Sequence, residues 1–371
     1  MAGTGEHSFR TGGHSVIEID LGALRHNLAE VRRRAGEAGV MAVVKADAYG
    51  HGLVRIAGAL EGEVQGLAVN EVAEGVALRR AGIRAPVLVF GVPESRHRGA
   101  YRRWDLTATV STLHHVELLE KGSTCHLNVD TGMGRLGVRP EAAGDMIRRL
   151  QAVDGPRCTG IYSHFATADV PESGMARRQL ARFREVQDGL GDLADGLTVH
   201  MSNSGGLFFY PEARFDLVRT GIALYGCAPG ETPLEGLRPV LGWKTHLVQV
   251  NRVRKGETVS YGARWAAPSD GWVGVLPVGY EDGLRRDLSG KISVEIGSEH
   301  YELAGTVTMN YAMVWLGSER WPELTEVTLL GGENGVEEWA AAAGTISYEI
   351  LTGLSRRVPR SAGLSSRSGK V

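Results

Sequence analysis

Along the first two-thirds of the chain, short apolar runs alternate with stretches whose apolar residues recur every three or four positions. The runs cover residues 41–45, 66–69, 86–90, 106–110, 125–130, 160–165, 198–202 and 216–222. Runs of this length, apolar on both faces, predict buried strands. Between them, residues 71–81, 113–120, 140–152 and 175–190 carry helical spacing. About eight β-then-α units result, the number that closes a TIM barrel. Ahead of them, residues 16–20 alternate like a short strand. Asp20 then caps a helix with the stripe Leu21, Leu24, Leu28 and Val31, ending near Gly36. Near Arg238 the rhythm stops. Residues 243–253, 256–262, 272–278, 291–296, 301–307, 312–316 and 326–330 are short runs with Gly, Ser and Asp between them. They predict a meander of strands, closed by helices over 336–343 and 346–354.

This pattern divides the 371 residues into a leader at 1–14, a barrel domain at 15–237 and a β-rich domain at 238–371. The first strand, 16–20, precedes the barrel and is free to pair into the second domain. Residues 1–14 are polar and glycine-rich with no apolar core, so they read as a disordered leader and not a signal peptide. Hydrophobic residues make up 43%, enough for a large core, and the net charge of −2 gives no footprint for nucleic acid or an acidic membrane surface. No run is long enough to cross a membrane. Cys125, Cys158 and Cys227 lie far apart in sequence, with no disulfide framework and no zinc spacing, which fits a reducing cytoplasm.

Chemistry enters where the first barrel run meets a lysine. In Met41-Ala42-Val43-Val44-Lys45-Ala46-Asp47-Ala48-Tyr49-Gly50-His51-Gly52 an apolar strand ends on a cation. The plain reading is a strand-end lysine reaching water. The flanks favour a use for it. Gly50 and Gly52 let the backbone approach a ligand, and Tyr49 faces the same mouth if a helix starts at the turn. A desolvated lysine loses its proton readily and forms Schiff bases with aldehydes, of which pyridoxal phosphate is the commonest. Barrel active sites gather at the C-terminal strand ends. The polar residues there include Asn128, Asp130, Arg135, Ser163, His164, Ser202, Asn203, Ser204 and Arg219. Gly132-Met133-Gly134-Arg135-Leu136-Gly137 contains a GxGxxG, with Asp154 at about the spacing of a ribose acid. The next helix starts only at Pro140, too late for the third glycine to pack it against the strand, so a dinucleotide loop is disfavoured.

The Lys45 segment resembles the cofactor-lysine motif of bacterial alanine racemases, and further segments from about Ile17 to Arg360 resemble that family in the same order. They are Asp130–Gly137, His164-Phe165-Ala166, His200-Met201-Ser202-Asn203-Ser204, the run from Arg219 to Gly226, Val259-Ser260-Tyr261-Gly262, Pro277–Gly283, Ile346–Ile350 and Arg357–Arg360. The resemblance implies a TIM barrel with a C-terminal β domain, agreeing with the periodicity. It further implies pyridoxal phosphate on Lys45 and a homodimer whose active sites are shared. By the same resemblance Lys45 and the partner's Tyr261 are the two bases. His164 and Arg219 lie beneath the pyridine ring. Ser204, the amides of Gly221 and Ile222, and the hydroxyls of Tyr49 and Tyr348 hold the phosphate. Arg135, Met309 and Tyr280 meet the substrate. An arginine at the ring nitrogen can only donate, which makes the ring a weaker electron sink than an aspartate partner would.

The chain departs from the family at three places. Asn128 stands where many members carry a carbamylated lysine, which leaves Arg135 to find another partner. Glu281 stands for the usual alanine, and Thr308-Met309-Asn310 for the usual Cys-Met-Asp. The expectation is a cytoplasmic racemase that interconverts L- and D-alanine, supplying D-alanine for peptidoglycan, with a broader racemase acting on serine or lysine as the alternative. Two other classes fit less well. A metal-dependent barrel hydrolase using His164, His200 and Asp130 lacks a His-x-His pair, so no metal is expected. A non-catalytic pyridoxal-phosphate carrier would consist of the barrel alone.

Overall fold

The computed structural model describes residues 13–332 and 334–362. The expected leader at 1–14 lies outside them except for Gly13 and His14. The first strand, β1 (Val16–Ile19), leads into a helix over Leu21–Ala35. Asp20 starts that helix as read from the sequence, its carboxylate accepting the amides of Gly22 and Ala23 at 2.7 and 2.9 Å.

Eight parallel strands then close into a barrel: β2 (Gly39–Val43), β3 (Gly66–Val69), β4 (Val87–Val89), β5 (Thr107–Val110), β6 (Thr124–Asn128), β7 (Arg157–Tyr162), β8 (Thr198–His200) and β9 (Leu217–Thr220). The periodicity and the resemblance both gave this architecture. Every residue of β3 and β4 is buried, as expected where helices cover one face and the lumen is filled. The ladder closes between β2 and β9 with Met41 opposite Arg219. Several strands stop short of the sequence reading. β2 ends at Val43, two residues before Lys45.

Arg25–Leu237 forms one compact unit; among the described residues, 13–24, 238–332 and 334–362 form the other. The remaining strands, all in the second unit, are β10 (Leu241–His246), β11 (Gln249–Val253), β12 (Thr258–Val259), β13 (Trp265–Ala266), β14 (Gly271–Leu276), β15 (Ser293–Ile296), β16 (Glu299–Glu302), β17 (Ala312–Gly317), β18 (Glu326–Leu330) and β19 (Arg360–Ala362). They build a six-stranded sheet, β16-β15-β18-β10-β1-β19, a three-stranded sheet, β11-β14-β17, and the pair β12-β13. β1 runs antiparallel to β10 and parallel to β19, with Ile17 opposite both Trp243 and Arg360. The single run expected over 243–253 is two strands in different sheets, because the chain turns at Leu247 and Val248. No helix among the described residues is long and apolar enough to cross a membrane.

Candidate active site

Lys45 does not end a strand; it opens a tight turn. Ala46, Asp47, Ala48 and Tyr49 all sit at φ between 53° and 56°, a left-handed helical turn built of non-glycine residues. Each such residue costs roughly 1–2 kcal/mol, so the turn must be held from outside. Glu74 does this. Its carboxylate accepts Ala46 N at 2.6 Å and also the amides of Asn70 and Glu71 at the head of the helix Val72–Arg80. Asp47 Oδ1 accepts Leu53 N at 2.7 Å and pins the far side. The right-handed helix considered from sequence is therefore replaced by its mirror turn. Strain on this scale, fixed by neighbouring carboxylates, is typical of functional sites. Burial lowers the Lys45 amine below its ordinary pKa, and the Arg135 charge adds to this while Glu74 opposes it.

Beneath the mouth lies a buried polar chain. Arg219, on β9, donates NH1 to His200 Nδ1 at 2.7 Å and NH2 to the Ser163 and Met201 carbonyls at 2.7 and 3.0 Å. NH2 also reaches His164 Nδ1 at 3.2 Å. His200 Nε2 in turn meets His126 Nδ1 at 2.9 Å. A guanidinium has donors only, so both imidazoles facing it accept through Nδ1 and carry their proton on Nε2. His200 then donates to His126. All three rings stay neutral: burial, with the Arg219 charge next, holds His164 and His200 well below the usual histidine range and His126 at about 4. Burial pulls Arg219 itself down to about 10, still protonated at neutral pH. Tyr162 closes the group. It stacks on His200 at 4.9 Å and lies under the guanidinium at 5.0 Å. Arg219 Nε is buried with no hydrogen-bond partner among the described residues.

A third cluster lies at the ends of β8 and β9. Ser204 Oγ accepts Gly221 N at 3.1 Å and Ala223 N at 3.4 Å, and sits 3.3 Å from Thr220 Oγ1. The amides of Gly221 and Ile222 begin the short helix Ile222–Tyr225. A Cβ on Gly221 would collide with the Tyr49 hydroxyl, so glycine is required by the close approach. Burial pushes the Tyr49 phenol up and keeps it a donor.

The loop after β6 carries Arg135, exposed, with its charge acting on Lys45, His164 and Arg219. Asn128 is buried and donates Nδ2 to the Leu136 carbonyl at 3.0 Å, while Asp130 accepts the amides of Gly132 and Gly134. The three glycines bend the loop at φ 142°, 71° and 130°. Asp154, far from any ribose role, pairs with Lys121 on the surface.

The second unit holds the other expected residues. Tyr261 is 73% exposed on a turn whose preceding residue, Ser260, sits at φ 70°. Thr306 anchors that turn, donating to the Tyr261 carbonyl at 3.0 Å while its own carbonyl accepts Ser260 Oγ at 2.6 Å. Tyr280 and Met309 are exposed as well, and their loops are stitched by Tyr280 N to Thr308 O and Glu281 N to Met309 O. Two of the departures from the family pattern meet here. Asn310 Nδ2 donates to Glu281 at 2.7 Å, and Arg357 pairs with the same carboxylate. Tyr348 is half-buried on the helix Ser347–Gly353. Among the described residues no three His, Cys, Asp or Glu side chains converge to hold a metal ion.

Comparison with known proteins decides the family. Residues 19–229 match the N-terminal domain of alanine racemase and residues 240–362 match its C-terminal domain. The chain belongs to the alanine racemase family, whose members are isomerases. Alanine racemase of Chlorobaculum tepidum is 39% identical over 363 residues, covering 92% of this chain and 94% of its own. That of Carboxydothermus hydrogenoformans is 40% identical over 365 residues, covering 92% and 98%. Among solved structures, alanine racemase from a D-cycloserine-producing Streptomyces lavendulae superposes with a TM-score of 0.89 at 34% identity, covering 95% of this chain and 98% of that one. The Bacillus anthracis alanine racemase with bound L-Ala-P reaches 0.87 at 34% identity, covering 96% of each.

Sequence reasoning missed Glu74, His126 and His200 as hydrogen-bond partners of these groups. Glu74 gave no signal. His126 gave one: it lies two residues before Asn128 on β6, so period two puts both on one strand face. His200, which the sequence offers only as a metal ligand, accepts from Arg219.

Proposed function

We propose that the chain is a pyridoxal-phosphate-dependent alanine racemase, interconverting L- and D-alanine by two-base proton exchange. The observation that carries this reading is Arg219 Nε, a buried cationic N–H that lacks an acceptor among the described residues. An unmade bond from a buried charged group is costly, and a pyridine nitrogen lone pair is the kind of acceptor that relieves it. The other donors fit the same group. Lys45 is an amine of lowered pKa. Tyr49 and Ser204 offer hydroxyls, and the Gly221 and Ile222 amides offer N–H groups at a helix start, where phosphates bind, the Gly221 amide exchanging its bond to Ser204 Oγ for one to phosphate; Tyr348 is a further hydroxyl.

When bound, the cofactor withdraws electrons from the substrate and acidifies its Cα–H bond. Lys45 would take or return the proton on one face at Nζ. Tyr261 from a second copy of the chain does so on the other, and exchange between the two inverts the centre. A free phenol has a pKa of about 10. His164 answers this, because its Nε2–H can donate to the tyrosine oxygen while Arg219 holds its Nδ1. Arg135 steers the substrate carboxylate, and Met309 and Tyr280 line its approach. The homodimer, a cytoplasmic location and a supply of D-alanine for peptidoglycan complete the reading.

Purified protein supplied with pyridoxal phosphate should convert either enantiomer of alanine to a near-equal mixture, read by chiral chromatography, with serine and lysine turned over more slowly. Faster racemisation of serine or lysine would replace alanine as the substrate, and no racemisation of any amino acid would reject the reading.

A further inference from the structure

The three cysteines, far apart in sequence, are not all apart in space. β6 and β7 are neighbours in the barrel, and their register sets Cys125 directly opposite Cys158. Adjacent strands lie about 4.8 Å apart, inside the roughly 4.4–6.8 Å window of Cα separations that a disulfide spans. The pair sits near the N-terminal ends of the two strands, at the end of the barrel opposite Lys45 and Arg219. One residue further on the register slips, so that His126 faces Gly160 and Thr159 is the extra residue. A bulge of this kind loosens the local ladder. The two thiols differ in access: Cys125 is fully buried and Cys158 is half-buried.

We propose that Cys125 and Cys158 form a reversible cross-strand disulfide under peroxide, a modification site separate from the proposed active site. Cys158 is the attacking group. Its thiol is held below the ordinary value by the hydrogen bond with the Cys125 thiol, with the backbone of Gly160 and Leu127 acting in the same sense and burial opposing. The Cys125 thiol is held up by the same hydrogen bond and by burial. The Cys158 thiolate attacks one peroxide oxygen, the O–O bond breaks, and hydroxide leaves, giving a sulfenic acid. The Cys125 sulfur then attacks the sulfenic sulfur. The S–S bond forms as the S–O bond breaks, and the thiol proton leaves with the oxygen as water. A small dithiol returns two electrons and two protons and restores both thiols. Cys227 is buried elsewhere in the barrel unit, just after the helix Ile222–Tyr225, and serves as the internal control.

The test uses the intact chain. Reduced, desalted protein is treated with an equimolar dose of hydrogen peroxide, alkylated and digested with trypsin. The expected product links peptide 122–135 to peptide 158–177, disappears after dithiothreitol, and leaves Cys227 alkylated. In Cys125→Ser, the same dose with dimedone present should label Cys158; in Cys158→Ser, Cys125 should stay unlabelled. Alkylated Cys125 and Cys158 after peroxide, or Cys158 carried to sulfinic acid with Cys125 still alkylated, would overturn the disulfide. Dimedone on Cys125 in Cys158→Ser would overturn the order of attack.

Discussion

Arg219 donates to His200 Nδ1 at 2.7 Å, and this contact fixes the direction of every proton in the buried chain. The arginine cannot accept, so His200 must present a lone pair, and His126 must present one to His200 in turn. Removing the acceptor while keeping the aromatic surface isolates that role. His200→Phe keeps a ring against Tyr162 and strands a buried guanidinium N–H, a loss of about 1–3 kcal/mol. Racemisation kcat should fall by about tenfold or more, since 1.36 kcal/mol is a factor of ten, and the absorbance band of bound cofactor should shift. Wild-type rates with an unchanged spectrum would show that the chain does not tune Arg219.

Lys45 gives a pH prediction whose sign is set by its neighbours. Burial and the Arg135 charge both lower its pKa. Capture of the aldehyde needs the neutral amine, so reconstitution of apoprotein should speed up as pH rises through the lowered pKa and then level off. Arg135→Gln removes a like charge, raises the Lys45 pKa and moves that rising limb to higher pH. Stopped-flow absorbance across a pH series reads both limbs. A limb that stays in place, or moves down, contradicts the assignment of Arg135 as the charge that acts on Lys45.

Gly221 tests the phosphate cradle. A Cβ there meets the Tyr49 hydroxyl, so Gly221→Ala should push the phenol aside and weaken cofactor binding by about tenfold or more, equivalent to about 1.4 kcal/mol. Equilibrium dialysis against pyridoxal phosphate measures it. Unchanged affinity would place the phosphate elsewhere.

Sharing of the site between two chains has its own arithmetic. Lys45→Ala and Tyr261→Phe should each abolish two-base racemisation. In a two-fold dimer each patch serves twice, so a heterodimer of the two variants contains one site with both lesions and one with neither. Random subunit exchange should then restore about a quarter of wild-type activity. If each chain completes its own site, confirmed heterodimers stay inactive.

Much of the fold is legible in the sequence. The barrel strands are legible as apolar runs because both their faces are buried, and Lys45, His164, Ser204 and Arg219 stand out as candidates because they lie at or near strand ends, with their roles coming from the family resemblance alone. The left-handed turn at Ala46–Tyr49 was not legible, because nothing local favours it. Glu74, a distant carboxylate, imposes it. The chain from Arg219 through His200 to His126 was hidden for a related reason. It runs across three strands far apart in sequence, and only barrel closure brings them together. The splitting of 243–253 into β10 and β11 was missed because an apolar run carries no mark of which sheet each half joins. The Asn310–Glu281 contact shows the converse: two departures, each puzzling alone, become one hydrogen bond once folded.

The central claim is that Lys45, raised on a strained turn above Arg219, carries the cofactor. Borohydride reduction of the protein loaded with pyridoxal phosphate, followed by tryptic mapping, tests it most directly. The account predicts a single pyridoxyl label on Lys45, in a peptide spanning 35–55 because the modified lysine resists cleavage. A label on any other lysine, or a loaded and reduced protein with no label at all, would contradict it.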